Sequence, residues 1–211
     1  RMKTSGNFGV LDVTETGTLN RFYAQMDLTN ILQVGAMIPS LLPNNAAPFI
    51  RSRILFSEDG QHVFMCRNMN SVGISIEKLT RSPFATTGVM NTSLPVTLDY
   101  AGIGGGFIYA VNGGDIYKIS QQTLLVVQAV TPPTSVYWMS YSQTLNKLFA
   151  WDYNTNTLAR FDAGTLAYID GLFIPGVSDT FDDLVSILID DTLLMAICFD
   201  SSGRAHRVRI G

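Results

Sequence analysis

The chain has 211 residues, 46% hydrophobic and 15% charged, enough to bury a substantial core in one domain or two small ones. Fourteen Lys and Arg against 17 Asp and Glu leave a formal net charge of -3, so no global positive field exists to draw in nucleic acid or anionic lipid. The charged fraction lies well below the roughly 25% of an average soluble protein, so amides, hydroxyls and glycines cover much of the surface, a balance that suits an extracellular or assembly-embedded protein.

From the start, "FGVLDV" turns through "TETG" into "TLNRFYAQMDL" and then "NILQVGAMI", ending at Pro39. "PSLLPNNAAPF" (39–49), with three prolines, reads as an inserted loop. "HVFMCR" then turns through "NMNS" into "VGISIEK" and "RSPFATTGV", and "FIYAVN" through "GGD" into "IYKIS" and "QQTLLVVQAV". Next come the aromatic strand "SVYWMSYS", then "KLFAWDY", the Asn-rich turn "NTNT", "LARFDAG" and "TLAYIDGLFIPG". Last, "LLMAICFD" turns through "SSG" into "RAHRVRI". Each piece is short, apolar or alternating, and bounded by turn residues, as strands are. The best helix candidate, "DTFDDLVSILID", contains the continuous run "LVSILI" and reads as a buried innermost strand.

One plan therefore occurs five times. The first apolar positions after the five central turns are Leu19, Val72, Ile116, Leu158 and Ala205, spaced by about 53, 44, 42 and 47 residues, the period of radial blade repetition. The expected fold is all-β, a single β-propeller over 1–211 of about five four-stranded antiparallel blades, with blades near 7–39, 50–91, 94–132, 134–175 and 182–211. A sandwich or barrel is the competitor, and the repeat favours the propeller. The first unit has no innermost strand before "FGVLDV" and the last no outermost strand after "RVRIG". Pairing of "RMKTS" with the last unit would close the ring in part; otherwise a missing segment or neighbouring chain completes it, and the ring is then part of a larger one.

"SQTLNKLFAWDYNTNTLARFDAGTLAYIDGLFIPG" resembles the repeats of YVTN-type β-propellers, through Asn146, Lys147, Leu148, Phe149, Ala150 and the turn 154–157. A second stretch, "FSEDGQHVFMCRNMNSVGISIE", is similar through Ser57, Asp59, Gly60, Val63, Phe64, Asn68 and Val72. The likeness spans about four-fifths of the chain and implies a fold more than an activity. It departs from the pattern where Asp152 or Tyr153 replaces the usual Asn at the end of the second strand.

Two cysteines, Cys66 and Cys198, sit inside apolar runs and read as buried thiols; with only His62 and His206 besides, no zinc-like Cys/His set can be assembled. Arg204, His206, Arg207 and Arg209 alternate with Val208 and Ile210 as the solvated face of a terminal strand. No apolar run approaches the ~20 residues of a membrane span, and no secretory leader is visible, so membrane insertion is not expected. An Arg ahead of Met2 marks either a cloning remnant or the edge of an excised piece, which leaves a native leader open.

In a propeller the turns between second and third strands share a face with the connections between blades. That face is expected to carry Asn68, Asn70, Asn112, Asp115, Trp138, Asn154 and Asn156, whose amides, carboxylate and indole could hold a protein partner or a glycan; the competing reading is that tight hairpins simply require Asn, Gly and Asp. Tyr137, Trp138, Tyr141, Trp151 and Tyr153 form either a stacking platform or, the favoured reading, packing between blades. Alternation sends Tyr137 and Tyr141 to one side and Trp138 to the other. "AGIGGG" (101–106) reads as a wide turn without the helix a phosphate cradle needs. Asp179, Asp182, Asp183, Asp190 and Asp191 lack EF-hand spacing and read as turns at the two ends of one strand. No nucleophile stands beside a base, and Asp99 and Asp183, with Arg51 and Arg53, are too few for an axial metal site. The expectation is a non-enzymatic structural or recognition propeller with no cofactor or metal, a component of an extracellular or viral-particle assembly such as a phage tail or attachment module. A protein partner or self-association through incomplete end blades is expected; a propeller lectin and a metal-dependent hydrolase are the alternatives.

Overall fold

The computed structural model describes residues 2–5, 7–14, 20–30, 32–41, 52–69, 73–91, 101–112, 114–152, 154–174, 186–199 and 203–211. The anchors Leu19 and Val72 and most of the proline-rich insertion lie outside these residues. The first sheet is β1 (Met2–Ser5), β2 (Phe8–Thr14), β3 (Arg21–Asp27) and β4 (Leu32–Pro39); the second is β5 (Ser52–Phe56), β6 (His62–Met69), β7 (Gly73–Thr80) and β8 (Ala85–Asn91). The third is β9 (Ala101–Gly104), β10 (Phe107–Asn112), β11 (Asp115–Ser120) and β12 (Val126–Val130). The fourth is β13 (Val136–Ser142), β14 (Lys147–Asp152), β15 (Thr157–Asp162) and β16 (Tyr168–Phe173), and the fifth is β17 (Ser186–Asp190), β18 (Met195–Phe199) and β19 (Ala205–Arg209). All are antiparallel meanders, the blades of a β-propeller. "LVSILI" contributes β17, a strand as read but not the buried one expected: Ile187 is buried while Leu188 is 56% exposed.

The chain divides into two compact units, Arg1–Leu98 with the first two sheets and Asp99–Gly211 with the other three. In the first unit, Phe8, Val10 and Tyr23 of one sheet pack against Ile54, Val63, Met65 and Leu79 of the next. Phe8 meets Phe56 edge-on at 5.7 Å, and the Arg81 guanidinium lies 4.7 Å over the Phe8 ring, a cation–π contact that closes the layer. In the second unit the fourth sheet is covered on both faces. Leu148, Ala150, Ala159 and Phe161 meet Tyr109, Val111 and Ile116 of the third sheet; Phe149, Trp151 and Leu158 meet Ile187, Ala196, Cys198 and Val208 of the fifth. Burial on both faces explains why "KLFAWD" is a continuous apolar run: a strand with no wet face has no reason to alternate.

Two expectations are corrected. Met2–Ser5 does not complete the last sheet: it folds back on β2, with Met2 opposite Leu11 and Ser5 opposite Phe8, because a two-residue link is hairpin length. The first sheet therefore has its innermost strand, and among the described residues the fifth sheet is the three-stranded one, without an outermost strand. "AGIGGG" is not one wide turn. Its first four residues are β9, and Gly105 and Gly106, at φ 59° and 80°, make the turn.

The glycines of β9 let the third sheet approach β13 closely. A Cβ on Gly102 would stand 3.0 Å from the Met139 carbonyl oxygen, and one on Gly104 only 1.8 Å from Tyr141 Cδ1. Tyr141 cannot simply step aside: its ring stacks on Tyr109 at 5.9 Å and its hydroxyl bonds Asn146 at 3.1 Å. Gly104→Ala is therefore expected to cost about 1–3 kcal/mol by overpacking, read as a lower urea midpoint at unchanged slope. A midpoint equal to that of the parent protein would mean that the ring yields freely.

Polar side chains bind neighbouring sheets. Lys118 in β11 donates to the carbonyls of Ala163 at 2.8 Å and Gly164 at 2.9 Å, with its ammonium 4.3 Å over Phe107; burial pulls its pKa down, against the opposing pull of the Asp162 charge. Arg160 in β15 reaches the Ile210 carbonyl at 3.5 Å, and Ser140 donates to the Ile187 carbonyl at 2.6 Å. In the first unit, Glu77 in β7 is fully buried and accepts from Tyr23, Ser40, Thr86 and the Leu41 backbone N–H.

Candidate functional site

At one end of the second unit lie the β10–β11 and β14–β15 turns and the link between β12 and β13. In the fourth sheet Asp152, buried at the end of β14, accepts from the Asn154 N–H at 2.9 Å and the Thr155 hydroxyl at 2.6 Å, while Thr155 and Thr157 share a bond of 2.8 Å. Asn156 stands at φ 53°, a left-handed position that asparagine tolerates better than most residues. Asn154 is exposed. In the third sheet Asp115 accepts from Thr131 at 2.5 Å and from the Tyr117 hydroxyl at 3.5 Å. Burial, and then the Asp115 charge, push the Tyr117 phenol up.

The aromatic strand departs from simple alternation. β13 has seven residues against six in β14, and the ladder slips at Trp138: Tyr137 pairs with Trp151, while Met139 pairs with Ala150. Trp138 sits at φ 49°, a bulge that resets the side-chain faces. Tyr137 and Tyr141 therefore do not share a side. Tyr137 lies opposite Trp151, and Trp138 packs on that same cluster, whereas Tyr141 lies opposite Leu148 in the other one. Trp151 is core, at 2% exposure.

Among the residues expected to form the site, the second unit brings Asp115, Trp138, Asn154 and Asn156 to one end of neighbouring sheets, with Asn112 closing the β10–β11 hairpin opposite Asp115. Asn68 ends β6 in the other unit, opposite Ile74, and Asn70 lies outside the described residues. Phe173, 71% exposed, is not among the expected residues, and Tyr137, weighed above as platform or packing, is 38% exposed. They flank the Asn154–Asn156 turn, Tyr137 beside the start of β13 and Phe173 opposite Thr157 at the end of β16. The seven-against-six strand length is the sequence signal that could have marked the bulge and freed Tyr137 from the alternation.

Elsewhere the acidic residues serve their own turns. Asp190 accepts from the N–H groups of Thr192 and Leu193, both at 3.0 Å; Asp191 accepts from the Ser142 hydroxyl and, at 2.9 Å, from the Gln143 N–H. Asp179, Asp182, Asp183, Asp99 and Arg51 lie outside the described residues, and Arg53 lies in β5. Hydrogen bonds hold several carboxyls below the usual range: the Thr29 N–H at Asp27, the Ser57 hydroxyl at Asp59 and the Thr165 N–H at Asp162. At Asp170 the cause is Arg160. Burial pushes the Cys66 and Cys198 thiols up to about 12, which leaves them protonated and unreactive at neutral pH. Among the described residues no three of His, Cys, Asp and Glu gather as a metal site, and no helix is long and apolar enough to cross a membrane.

No family model matches the chain, and no curated protein sequence does. Solved structures do. A chain of the mitotic checkpoint complex matches at a TM-score of 0.67 with 8% identity over 100% of this chain and 63% of its own length. KlHsv2 with a Gly-Ser linker in place of loop 6CD matches at 0.65 with 11% identity, over 100% and 63%. Hsv2 of Kluyvelomyces marxianus matches at 0.60 with 12% identity, over 97% and 60%. These neighbours are β-propellers, and at such identities the likeness is one of fold. The chain spans rather less than two thirds of their length.

Proposed function

We propose that the chain is a non-enzymatic recognition propeller that offers the β14–β15 turn end of its fourth sheet to a protein partner. The observation that carries this reading is the exposure of Tyr137 and Phe173 on either side of a polar turn whose carboxylate is already satisfied. Exposed aromatics beside small polar groups are what interface hot spots are made of, and a preformed turn loses little freedom on binding. The low charged fraction supports a place in an extracellular or viral-particle assembly. Asn146, in the left-handed region at φ 48° immediately before β14, gives a physical reason for the Asn of the YVTN-type pattern and supports blades of that type.

The test is affinity isolation of partners from the native source with parent protein and the Tyr137→Ala/Phe173→Ala double variant. Phe173 is 71% and Tyr137 38% exposed, so the melting midpoint should fall by no more than about 8 °C while the recovered partner falls at least about tenfold, the loss of roughly 1.4 kcal/mol that one hot spot supplies. Equal recovery by both proteins would refute the reading. A second reading, glycan binding, is favoured by the exposed Asn154 of the β14–β15 turn, at the same end of the sheet as Tyr137 and Phe173. Glycan-array signal abolished by Asn154→Ala or Trp138→Ala would select it.

A further inference from the structure

The fourth strands of the four-stranded sheets lack the charges that usually mark a sheet edge. β4, β8 and β12 contain no charged residue, and the uncharged run that holds β12 extends from 119 to 146. β16 has Asp170 alone, already held by Arg160. Charged side chains, above all Lys, and Pro are common means by which an edge strand deters a second strand from pairing with it. "LLVVQAV" (124–130) has none of them; β-branched, uncharged and free of proline, it has the composition of a segment that pairs with copies of itself.

The ladders show another means. In the second sheet Lys78 pairs with Gly88 and Leu79 with Thr86, which leaves Thr87 extra. In the third sheet Lys118 pairs with Gln128 and Ile119 with Val126, leaving Val127; in the fourth, Arg160 pairs with Asp170 and Phe161 with Tyr168, leaving Ile169. The extra residue falls each time opposite the step that follows a Lys or Arg near the end of the third strand, and all three are exposed. In the first sheet the irregular step is a neighbouring one, where Ala24 faces residues 35–37 and Gly35 stands at φ 74°. A regular edge strand turns alternate N–H and C=O groups outward at even intervals; a bulge breaks the intervals and bends the strand. An incoming strand can then follow only one side of the break, Gln128–Val130 in β12 or Asp170–Phe173 in β16.

We propose that the extra residue of each fourth strand, Val127 foremost, keeps that strand from pairing with the same strand of a second copy, in the role that charge plays at other edges. The strand turned away is the chain's own because nothing else in β12 opposes it. Without Val127, an antiparallel pair centred on Gln128 sets Val126 against Ala129 and Leu125 against Val130, with no like charges facing at any position. The recurrence of the bulge at one step in three sheets of unlike sequence ties it to the edge, not to any one side chain. β12 takes no part in the Tyr137 and Phe173 rim, so the two readings fail separately.

The test is deletion of Val127 from the full chain, followed by sedimentation velocity over a range of concentrations. Lys118–Gln128 and Ile119–Val126 are already paired, so the deletion joins two stretches of one ladder without turning either neighbour to the other face. Self-association is expected at a concentration at least about tenfold below any at which the parent associates, with new hydrogen-exchange protection of β12 amides in the associated species. Val127→Thr keeps the extra residue and should sediment as the parent does, which separates the bulge from its apolar side chain. Ala129→Lys added to the deletion should restore the parent's behaviour, because lysine on an edge deters pairing. The proposal is overturned by a deletion variant that sediments like the parent, by association without protection at β12, by equal association in Val127→Thr, or by association that Ala129→Lys leaves unchanged. It also falls if β11 and β12 lose protection in the deletion variant with and without Ala129→Lys, which would make Val127 necessary to the sheet itself.

Discussion

Glu77→Ala is expected to lower the stability of the first unit by about 3 kcal/mol, the cost of emptying a buried carboxylate site and leaving buried and part-buried donors without their acceptor. Glu77 has no exposed surface and sits on β7 of the second sheet, yet three of its four hydrogen-bonding partners belong to the first sheet or to the chain leaving it: Tyr23 at 2.9 Å, Ser40 at 2.9 Å and the Leu41 N–H at 3.2 Å. Thr86 on β8 supplies the fourth, at 2.6 Å. The carboxylate thus fixes where the chain departs after β4. Alanine would leave the buried Tyr23 hydroxyl, the part-buried Ser40 and Thr86 hydroxyls and the Leu41 N–H without their acceptor, and the Tyr23 and Ser40 hydroxyls can turn toward one another while the N–H cannot. The measurement is urea unfolding with hydrogen exchange on β3, β4 and β7, where protection should fall first. A loss under 1 kcal/mol would mean that water takes over the four donors. Glu77→Gln should fall between the two proteins, because it keeps one acceptor oxygen and turns an amide toward groups that already donate.

Trp151→Ala is expected to cost the second unit about 3–5 kcal/mol, the range for removing a buried large aromatic. The indole is packed with Phe149 and Leu158 against Ile187, Ala196 and Cys198 of the next sheet, so its loss opens a cavity between two faces that cannot both collapse into it. Differential scanning calorimetry should show the loss as a shift of roughly 10 °C or more in the melting of that unit. The same variant separates core from platform: a stacking residue would lose ligand at nearly unchanged stability, and such an outcome would contradict the burial of Trp151.

Strand existence was legible because each strand is short and bounded by Asn, Gly, Asp or Pro, and the plan recurs. What escaped was set by forces that leave no local mark. The bulge at Trp138 rests on matching a seven-residue strand to a six-residue partner, a relation between two segments that alternation within one cannot reveal. Leu124, Leu166 and Leu194 stand at φ 57°, 60° and 50°, left-handed positions usually signalled by Gly or Asn. Each costs about 1–2 kcal/mol, which burial offsets for Leu124 and Leu166, so a turn residue is disguised as a core residue. The polar end was legible as composition but not as chemistry: Asp115 and Asp152 were visible as turn residues, yet only their bonds to Thr131, Asn154 and Thr155 show that their acceptor capacity is already used. Phe173 lay inside a run that read as an ordinary strand, and Tyr137 read as packing before platform; their exposure depends on where neighbouring sheets stop.

The ties between sheets in the second unit follow an asymmetric rule. Lys118, Arg160 and Ser140 give side-chain donors, and the sheet that follows answers with main-chain carbonyls at Ala163, Gly164, Ile210 and Ile187; Asp191, which accepts from Ser142 and the Gln143 N–H, is the side-chain exception. Every residue type carries a carbonyl, so at these carbonyl ties the receiving sheet owes the joint no particular amino acid. A gene segment encoding one such sheet could be copied, deleted or exchanged behind a donor-bearing neighbour and the joint would still form, which lets the repeats diverge almost without trace in their letters while the seam between them persists.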